Sequence, residues 1–405
     1  MSGPHCLPGT GQLPAIPNSP TLRAAVLLLS LLLSACAVAP PQPAAHPYFA
    51  DARFQPPSVP IDPASVFAVS DEMQRYLDVE VVNEMGAKGR QRALAQALGS
   101  NTQLKLDYDS TYTRNAAEAF AARSGNCLSL VIMTAALAKQ MGIAVSYHSV
   151  RDDDFWSRDG DLYFSVGHVN VTLGGKPPEL GTRIDDGEQL TIDFLPVRDI
   201  REYKWKLLKE QTIVAMYMNN RAAESLAAGR IDDAYWYVRA AIQADPNFAT
   251  LFNTLGVVYL RHGDPVRAEQ ALVHGLHGDP DNTTLMSNLS AAYARQGRLA
   301  EARELNARIA MADPNPPFAW FNRGLLAMKA GDYAKARDFF AAEVKRAPNY
   351  DEFHFWLGLA LVNLGEADQA RAQLALAIAN STTRKDHDLY AAKLELIRSA
   401  QSLAR

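Results

Sequence analysis

The chain has 405 residues, of which 40 are Lys or Arg and 44 are Asp or Glu, so its formal net charge at pH 7 is −4. This length is too great for one ordinary hydrophobic core and predicts two or three domains. The nearly balanced charge argues against a polybasic nucleic-acid-binding protein, and we expect no nucleic-acid partner. The three cysteines are too few for a disulfide-stapled scaffold or a multi-cysteine zinc module.

The N-terminal region contains an apolar segment, Leu22 to Ala35, in which Arg23 is the charged residue. Its uninterrupted apolar part, about a dozen residues, suits the core of a signal peptide and is short for a membrane span. The segment ends in Leu33-Ser34-Ala35-Cys36, which resembles the lipobox of bacterial lipoproteins. The resemblance implies a signal peptide over residues 1–35, lipid on the sulfur of Cys36, and anchoring to the outer membrane, facing the periplasm. An ordinary signal peptide with an incidental cysteine is the alternative.

Residues 36–65 are rich in proline: residues 37–65 hold eight of the 23 prolines. Such a composition favours an extended tether that begins at the lipidated Cys36. If Cys6 leaves with the signal peptide, Cys127 is the remaining free thiol of the mature chain. A free thiol in an oxidising compartment requires an explanation.

Residues 66–205 mix helical and strand-like patterns and predict an α+β domain. Apolar spacing predicts a helix over residues 70–98 and another beginning at Asn115. The almost entirely apolar segment Leu128 to Met141 predicts a buried central helix. Three further runs predict strands, over residues 143–150, 162–173 and 189–195.

An acidic loop over residues 151–161 carries five Asp residues. Clustered carboxylates are compatible with a calcium site, but the ligand spacing of a calcium-binding hand loop is missing. We therefore interpret the segment as a solvated loop beside a cleft. His148 either lines this cleft or is exposed to solvent. We expect neither a metal nor a cofactor.

Residues 206–405 repeat with a period of 34. Glycines recur at positions 229, 263, 297, 331 and 365, alanines follow five residues after each, and prolines recur at 246, 280, 314 and 348. A 34-residue period with a turn glycine, a small residue at the helix crossing and a proline after the second helix is the tetratricopeptide repeat (TPR) signature. The sequence therefore predicts an all-α TPR solenoid of about five repeats, with a capping helix over residues 386–403.

Candidate catalytic residues lie in the α+β region. Cys127 opens the apolar helix, where the helix dipole and free backbone N–H groups favour a thiolate and can hold an oxyanion. Strand alternation places His168 and Asp193 opposite the apolar side chains of their strands. A thiolate nucleophile needs a base and a group that orients the base, so we expect both side chains to face Cys127. Alternatives to Asp193 are Asp185, Asp186 and Asp199.

This order of Cys, His and Asp resembles the transglutaminase-like superfamily of papain-like cysteine enzymes. The pattern Arg123-x-Gly125-x-Cys127 is close to the superfamily's core motif, and the resemblance covers about residues 102–200. It implies that Cys127 is the nucleophile, His168 the acid and base, and Asp193 the residue that orients the imidazole. Papain-type enzymes place a Gln shortly before the nucleophile, where this chain has Ala121. The second oxyanion donor is therefore open, with Tyr108 and Tyr112 as candidates.

Two functions from different classes follow. In the first, a lipid-anchored enzyme forms an acyl-thioester from an amide of a protein or peptide. Water resolves the thioester in a cysteine peptidase or amidase, and an amine resolves it in an acyltransferase; hydrolysis is favoured because no feature supplies a protected amine site. In the second, the repeats are a scaffold for envelope proteins and the transglutaminase-like module is inert.

Both functions use the concave face of the repeats to bind a protein or peptide partner. Asn220, Asn288 and Asn322 recur at one position of successive first helices, where they either contact a bound peptide or face solvent. The junction over residues 201–206 is short and lacks Pro and Gly, which predicts a fixed arrangement of the α+β domain and the repeats.

Overall fold

A computed structural model describes residues 47–85, 89–99, 106–151, 156–159, 162–165, 168–174, 189–194, 204–313 and 318–403. Residues 50–405 form one compact unit, and residues 1–49 form another. The predicted signal peptide and the predicted lipidation site at Cys36 lie outside the described residues. Among the helices of the described ranges, none is both long enough and apolar enough to cross a membrane.

From Ala50 onward, the predicted tether packs against the repeats. It contains two single turns of 3-10 helix, Asp51–Arg53 and Pro63–Phe67. Between them, the ring of Phe54 is buried and stacks on Tyr235, with ring centroids 3.8 Å apart and ring planes 4° apart. The backbone N–H of Ser58 donates to Asp233 at 2.7 Å. This segment is therefore held by aromatic burial and hydrogen bonds, which composition alone did not predict.

The predicted helix over residues 70–98 is interrupted. It consists of α1 (Asp71–Tyr76), a π-helical turn (Leu77–Val81), α2 (Val82–Met85) and α3 (Arg90–Gly99). The hydroxyl of Ser70 caps α1 by accepting from the backbone N–H of Met73 at 3.2 Å. Gly89 has a φ of 78°, which lies in the left-handed region that a continuous right-handed helix cannot contain.

A buried helix forms the centre of the α+β region. In chain order this region has β1 (Asp107–Tyr108), α4 (Ala116–Ala122), β2 (Ser124–Gly125) and α5 (Cys127–Gln140). Every residue of α5 from Cys127 to Ala138 is buried. A helix that is apolar on all sides can lie in the centre of a core, as the sequence predicts for this segment.

Four of the described strands form an antiparallel sheet against α5. The strands after α5 are β3 (Val145–Arg151), β4 (Trp156–Asp159), β5 (Leu162–Ser165), β6 (His168–Leu173), β7 (Leu190–Ile192) and β8 (Lys204–Leu208). The sheet order is β7-β6-β3-β8, and β4 and β5 pair separately. Sequence patterns predict one strand where β5 and β6 are separate. They do not predict β8, whose residues extend past the predicted domain boundary at residue 205.

The C-terminal half is a helical solenoid. Its paired helices are α6 and α7 (Glu210–Ala227, Ile231–Ala244), α8 and α9 (Thr250–His262, Pro265–Gly278), α10 and α11 (Thr283–Arg295, Leu299–Ala312), α12 and α13 (Ala319–Lys329, Tyr333–Arg346), and α14 and α15 (Asp351–Asn363, Ala367–Asn380). The capping helix, α16, is Arg384–Leu403. The glycine in each turn has a φ between 73° and 86°, which allows the tight reversal. A Cβ added to Gly256 would lie 2.5 Å from Cγ of Leu272, so α8 and α9 pack at a distance that requires glycine.

The α+β region contacts the repeats at both ends of the array. At the first repeat, the Tyr147 hydroxyl donates to Glu210 at 3.0 Å, and Lys139 forms an ion pair with the same carboxylate. At the last repeat, the backbone N–H of Ser110 donates to the carbonyl of Thr382 at 3.1 Å. The loop that follows β1 contacts the first repeat through Thr113 and the junction before α16 through Ser110.

Candidate active site

The turn between α4 and α5 delivers Cys127 to the first position of a helix. Arg123 ends α4 in the left-handed conformation, with a φ of 52°, and β2 then pairs in parallel with β1. A Cβ added to Gly125 would lie 2.6 Å from Cβ of Ser129. The glycine of the predicted motif is therefore needed for the chain to pass close to α5. These constraints fix where α5 begins.

Asn126 caps the helix that Cys127 opens. Its side-chain oxygen accepts hydrogen bonds from the backbone N–H of Ser129 at 2.9 Å and from the Ser129 hydroxyl at 2.8 Å. Such a cap satisfies one free N–H group of the first turn and leaves others directed toward the helix end. Cys127 itself is 5 % exposed, so its thiol lies at the positive end of a buried helix dipole.

His168, the first residue of β6, and Asp193, the residue that directly follows β7, form a close pair. Nε2 of His168 lies 2.8 Å from each carboxylate oxygen of Asp193. The two side chains are 5 % and 12 % exposed. A carboxylate on one ring nitrogen places the proton there and orients the other ring nitrogen, Nδ1, away from the carboxylate.

His168 interacts with Cys127 as well as with Asp193. Burial alone lowers the pKa of His168, but hydrogen bonds to Asp193 and Cys127, and the charges of both groups, raise the pKa to about 9. The imidazolium is therefore favoured at neutral pH. The structure thus brings together Cys127, His168 and Asp193, which the sequence named as candidates.

The hydroxyl group of Tyr108 lies beside Cys127. Burial and the neighbouring Cys127 raise the pKa of Tyr108 far above its usual range, and the phenol hydrogen-bonds both the backbone and the side chain of Cys127. A phenol with a raised pKa keeps its proton and remains a donor. Tyr112 is 55 % exposed. Of the two tyrosines proposed as oxyanion donors, Tyr108 is therefore the one in contact with the cysteine.

Other candidates have different surroundings. Asp185, Asp186 and Asp199 lie outside the described residues, as does most of the acidic loop over residues 151–161. The ring of His148 packs edge-on against Trp205, with centroids 5.7 Å apart, and burial lowers its pKa. It is thus a half-buried residue of β3.

Sequence reasoning missed two residues of the site. Asn170 lies two positions after His168 on the same face of β6, is fully buried, and is 3.5 Å from Asp193 through its amide nitrogen. Strand alternation contained that signal. Thr113 is 1 % exposed and contacts both Asn126 and Asn220. Asn220 was predicted to contact a peptide or to face solvent, and it instead donates to this threonine.

Comparisons with known proteins concern the repeats. Tetratricopeptide repeat models match residues 259–320 and 321–384. Similar solved structures include PilF of Pseudomonas aeruginosa, with 19 % identity, coverage of 48 % of this chain and 88 % of that chain, and a TM-score of 0.29. Another is the thermophilic TPR protein TTC0263 of Thermus thermophilus, with 20 % identity, coverage of 45 % of this chain and 99 % of that chain, and a TM-score of 0.29. A third is YrrB, a TPR protein with an unusual peptide-binding site, with 20 % identity, coverage of 44 % of this chain and 92 % of that chain, and a TM-score of 0.24. No curated protein sequence matches significantly.

The two family-model matches and the 34-residue helix pairs agree on the C-terminal region. The two model matches lie end to end within the solenoid. Repeat solenoids present extended concave surfaces on which other chains bind, which implies a protein partner. The C-terminal region of the chain is a TPR solenoid.

Proposed function

We propose that the chain is a cysteine enzyme that acts on an amide bond of a protein or peptide, with Cys127 as nucleophile. The observation that carries the proposal is the largely buried His168–Asp193 pair, in which Nε2 lies 2.8 Å from each carboxylate oxygen, together with Cys127, whose proximity helps to raise the pKa of His168. A nucleophile, a base and a group that orients the base within hydrogen-bond reach are the arrangement that activated nucleophiles require. The transglutaminase-like resemblance of residues 102–200 supports the same assignment.

The reaction begins when the Cys127 sulfur attacks the amide carbonyl carbon. His168, held by Asp193 through Nε2, gives a proton from Nδ1 to the departing amine, and an acyl-thioester remains on the sulfur. Water then attacks the thioester carbonyl and passes a proton to His168. The carboxylic acid leaves, and the thiolate–imidazolium pair is restored. We favour water over an amine as the acceptor because no residue feature supports a protected amine site.

Two donors can stabilise the oxyanion of this pathway. The first is the backbone N–H at the start of α5, where the helix dipole is positive. The second is the Tyr108 hydroxyl, which contacts Cys127 and keeps its proton because its pKa is raised. Tyr108 would take the place of the Gln that papain-type enzymes use and that this chain replaces with Ala121.

The rest of the chain supports a role in substrate capture at a membrane. The lipobox-like residues Leu33 to Cys36 support lipid anchoring through Cys36, and we place the protein at the outer membrane, facing the periplasm. The TPR solenoid supports recruitment of a protein substrate, because it lies next to the loop that follows β1.

An activated ester tests the acyl-transfer step without the natural substrate. We expect the full chain, purified in detergent, to release nitrophenol from 4-nitrophenyl acetate and to carry a transient acetyl group on Cys127, detected by mass spectrometry. The Cys127→Ser variant should carry no acetyl thioester, and His168→Ala should slow acylation by about a hundredfold or more. Equal rates in all three proteins would refute the proposal.

A scaffold without catalysis is the second candidate, and the 5 % exposure of Cys127 favours it. In that case the wild type and the Cys127→Ser variant would capture the same envelope protein and leave it intact. A partner that the wild type cleaves, and that Cys127→Ser holds uncleaved, would identify the enzyme and its substrate together.

A further inference from the structure

Three residues of the first repeat bind one residue of the α+β region, Thr113. Thr113 is 1 % exposed, and its backbone N–H donates to Glu224 at 2.7 Å. Its carbonyl accepts from Arg221 at 3.3 Å, and its hydroxyl oxygen accepts from Asn220 at 3.2 Å. The three partners lie on α6, so one helix of the repeats holds both the backbone and the side chain of Thr113.

The same threonine contacts the cap of the cysteine helix. Nδ2 of Asn126 donates to the hydroxyl oxygen of Thr113 at 2.9 Å, while the opposite side of that amide accepts from Ser129. An amide cap works in one orientation, with its oxygen toward the free N–H groups. Thr113 therefore selects the orientation in which Asn126 can cap α5, and Cys127 is the next residue.

The α6 partners are half-buried, with the side chains of Arg221 and Glu224 27 % and 22 % exposed. Burial raises the pKa of Glu224, and its hydrogen bonds to Thr113 partly offset that rise. Arg221 lies 3.2 Å from the same carboxylate. Breaking such a contact leaves buried polar groups without partners, which costs more than the loss of an exposed hydrogen bond.

We infer that Glu224, together with Asn220 and Arg221, is a positioning residue for the cysteine site, acting through Thr113 and Asn126. The inference rests on the proposed function, because it assigns these residues a role in the reactivity of Cys127. The first TPR repeat is then a structural part of the site, in addition to its place in a partner-binding surface.

The test measures the rate of Cys127 alkylation by iodoacetamide as a function of pH, in the full chain purified in detergent. We expect Glu224→Ala to slow alkylation at pH 7 by about tenfold, the equivalent of losing one buried hydrogen bond, and to move the midpoint of the pH profile upward. Glu224→Gln should restore the rate to within about threefold, because its amide oxygen accepts the same N–H bond.

Matched variants separate positioning from general destabilisation. Asn220→Ala should slow alkylation, whereas Asn363→Ala, in the last repeat and bonded to the carbonyl of Leu359 in its own helix, should leave the rate and the midpoint unchanged. If Glu224→Ala fails to fold, Thr113→Val tests the same link by removing one hydroxyl. Wild-type rates and midpoints in folded variants would overturn the inference and leave the proposed function standing. A wild-type thiol without enhanced reactivity would overturn both.

Discussion

The TPR solenoid and the cysteine site of this chain are assembled from contacts of different range. In the solenoid, each helix packs on its neighbours in sequence, and the same small residues recur at the same crossings. The cysteine site combines residues of two strands and a helix with a residue that follows a third strand: Tyr108, His168, Cys127 and Asp193. Repeat arrays distribute stability over neighbouring units, whereas a site of this kind depends on every element that meets there.

This difference predicts how far the effect of a mutation on stability or reactivity extends through the molecule. Damage inside an inner repeat should stay near that repeat, since an inner repeat packs mainly on adjacent helices. Damage to a residue that supports the cysteine should change reactivity even when stability is little affected, because productive geometry tolerates small displacements poorly. The following predictions are arranged from the largest expected effect to the smallest.

Phe340→Ala tests whether damage to the repeats stays local. Phe340 is fully buried beside Phe321 and Trp356, so its truncation should lower the free energy of unfolding of the repeats by about 3–5 kcal/mol. Urea unfolding followed by tryptophan fluorescence would measure the loss. The alkylation rate of Cys127 in the folded variant should equal that of the wild type, and a slower thiol would mean that the two regions are coupled more tightly than described.

Phe54→Ala tests the attachment of the N-terminal segment to the repeats. Loss of the ring that stacks on Tyr235 should weaken this attachment by about 2 kcal/mol. Faster hydrogen exchange or proteolysis near Ser58 would report the release. Val59→Ala, at a side chain that is 44 % exposed, is the matched control and should cause little change. Equal protection in the two variants would contradict the packing of this segment.

Asp193→Asn tests how much the charge of one carboxylate contributes to the reactivity of Cys127. The variant keeps an acceptor for Nε2 of His168 but removes the negative charge that helps to raise the pKa of His168 to about 9. Alkylation of Cys127 at pH 7 should slow by about tenfold, or about 1.4 kcal/mol. Thr191→Val, two residues before Asp193 on β7 and bonded to Thr172, is the control. A rate unchanged by Asp193→Asn would exclude the carboxylate from activation of the thiol.

Asp351→Asn tests a pH dependence that belongs to the last repeat. Burial, together with Asp386 and Glu352, raises the pKa of Asp351 to about 7. Because the folded pKa lies above the unfolded value of about 4, the contribution of this group to stability is full below pH 4 and is lost as the pH rises through 7. At pH 8, Asp351→Asn should therefore raise the free energy of unfolding by about 1 kcal/mol relative to the wild type. Thermal melting would show this as a higher melting temperature. At pH 4 the two should melt together, and a difference of equal size at both pH values would contradict the assignment.

The solenoid could be predicted from sequence because its signal is periodic and local. Turn glycines and crossing alanines recur every 34 residues, and each determines one turn or one helix contact. The predicted tether differs because the stack of Phe54 on Tyr235 joins residues that are distant in sequence. Strand β8 was missed for a similar reason, since its partner β3 lies before a long intervening segment.

At the candidate site, the sequence was enough to predict the candidate catalytic residues. It was not enough to predict the residues that hold them in place. Cys127 at a helix start and His168 on an apolar strand carry local signals. Glu224 and Thr113 carry none, because a threonine in a loop and a glutamate on a helix are ordinary surface residues until the fold brings them together. The sequence could not distinguish Tyr108 from Tyr112, because they differ in their surroundings: Tyr108 lies beside Cys127, whereas Tyr112 is exposed.

The central claim is that Cys127 reacts as a thiolate paired with His168. The most direct test is the rate of Cys127 alkylation against pH in the full chain, beside His168→Ala. We predict a midpoint well below the free-thiol value of about 8.5 in the wild type and a higher midpoint in the variant, because the imidazolium that favours the thiolate is then lost. A wild-type midpoint at or above that value, unchanged by His168→Ala, would mean an unactivated buried thiol and would contradict the account.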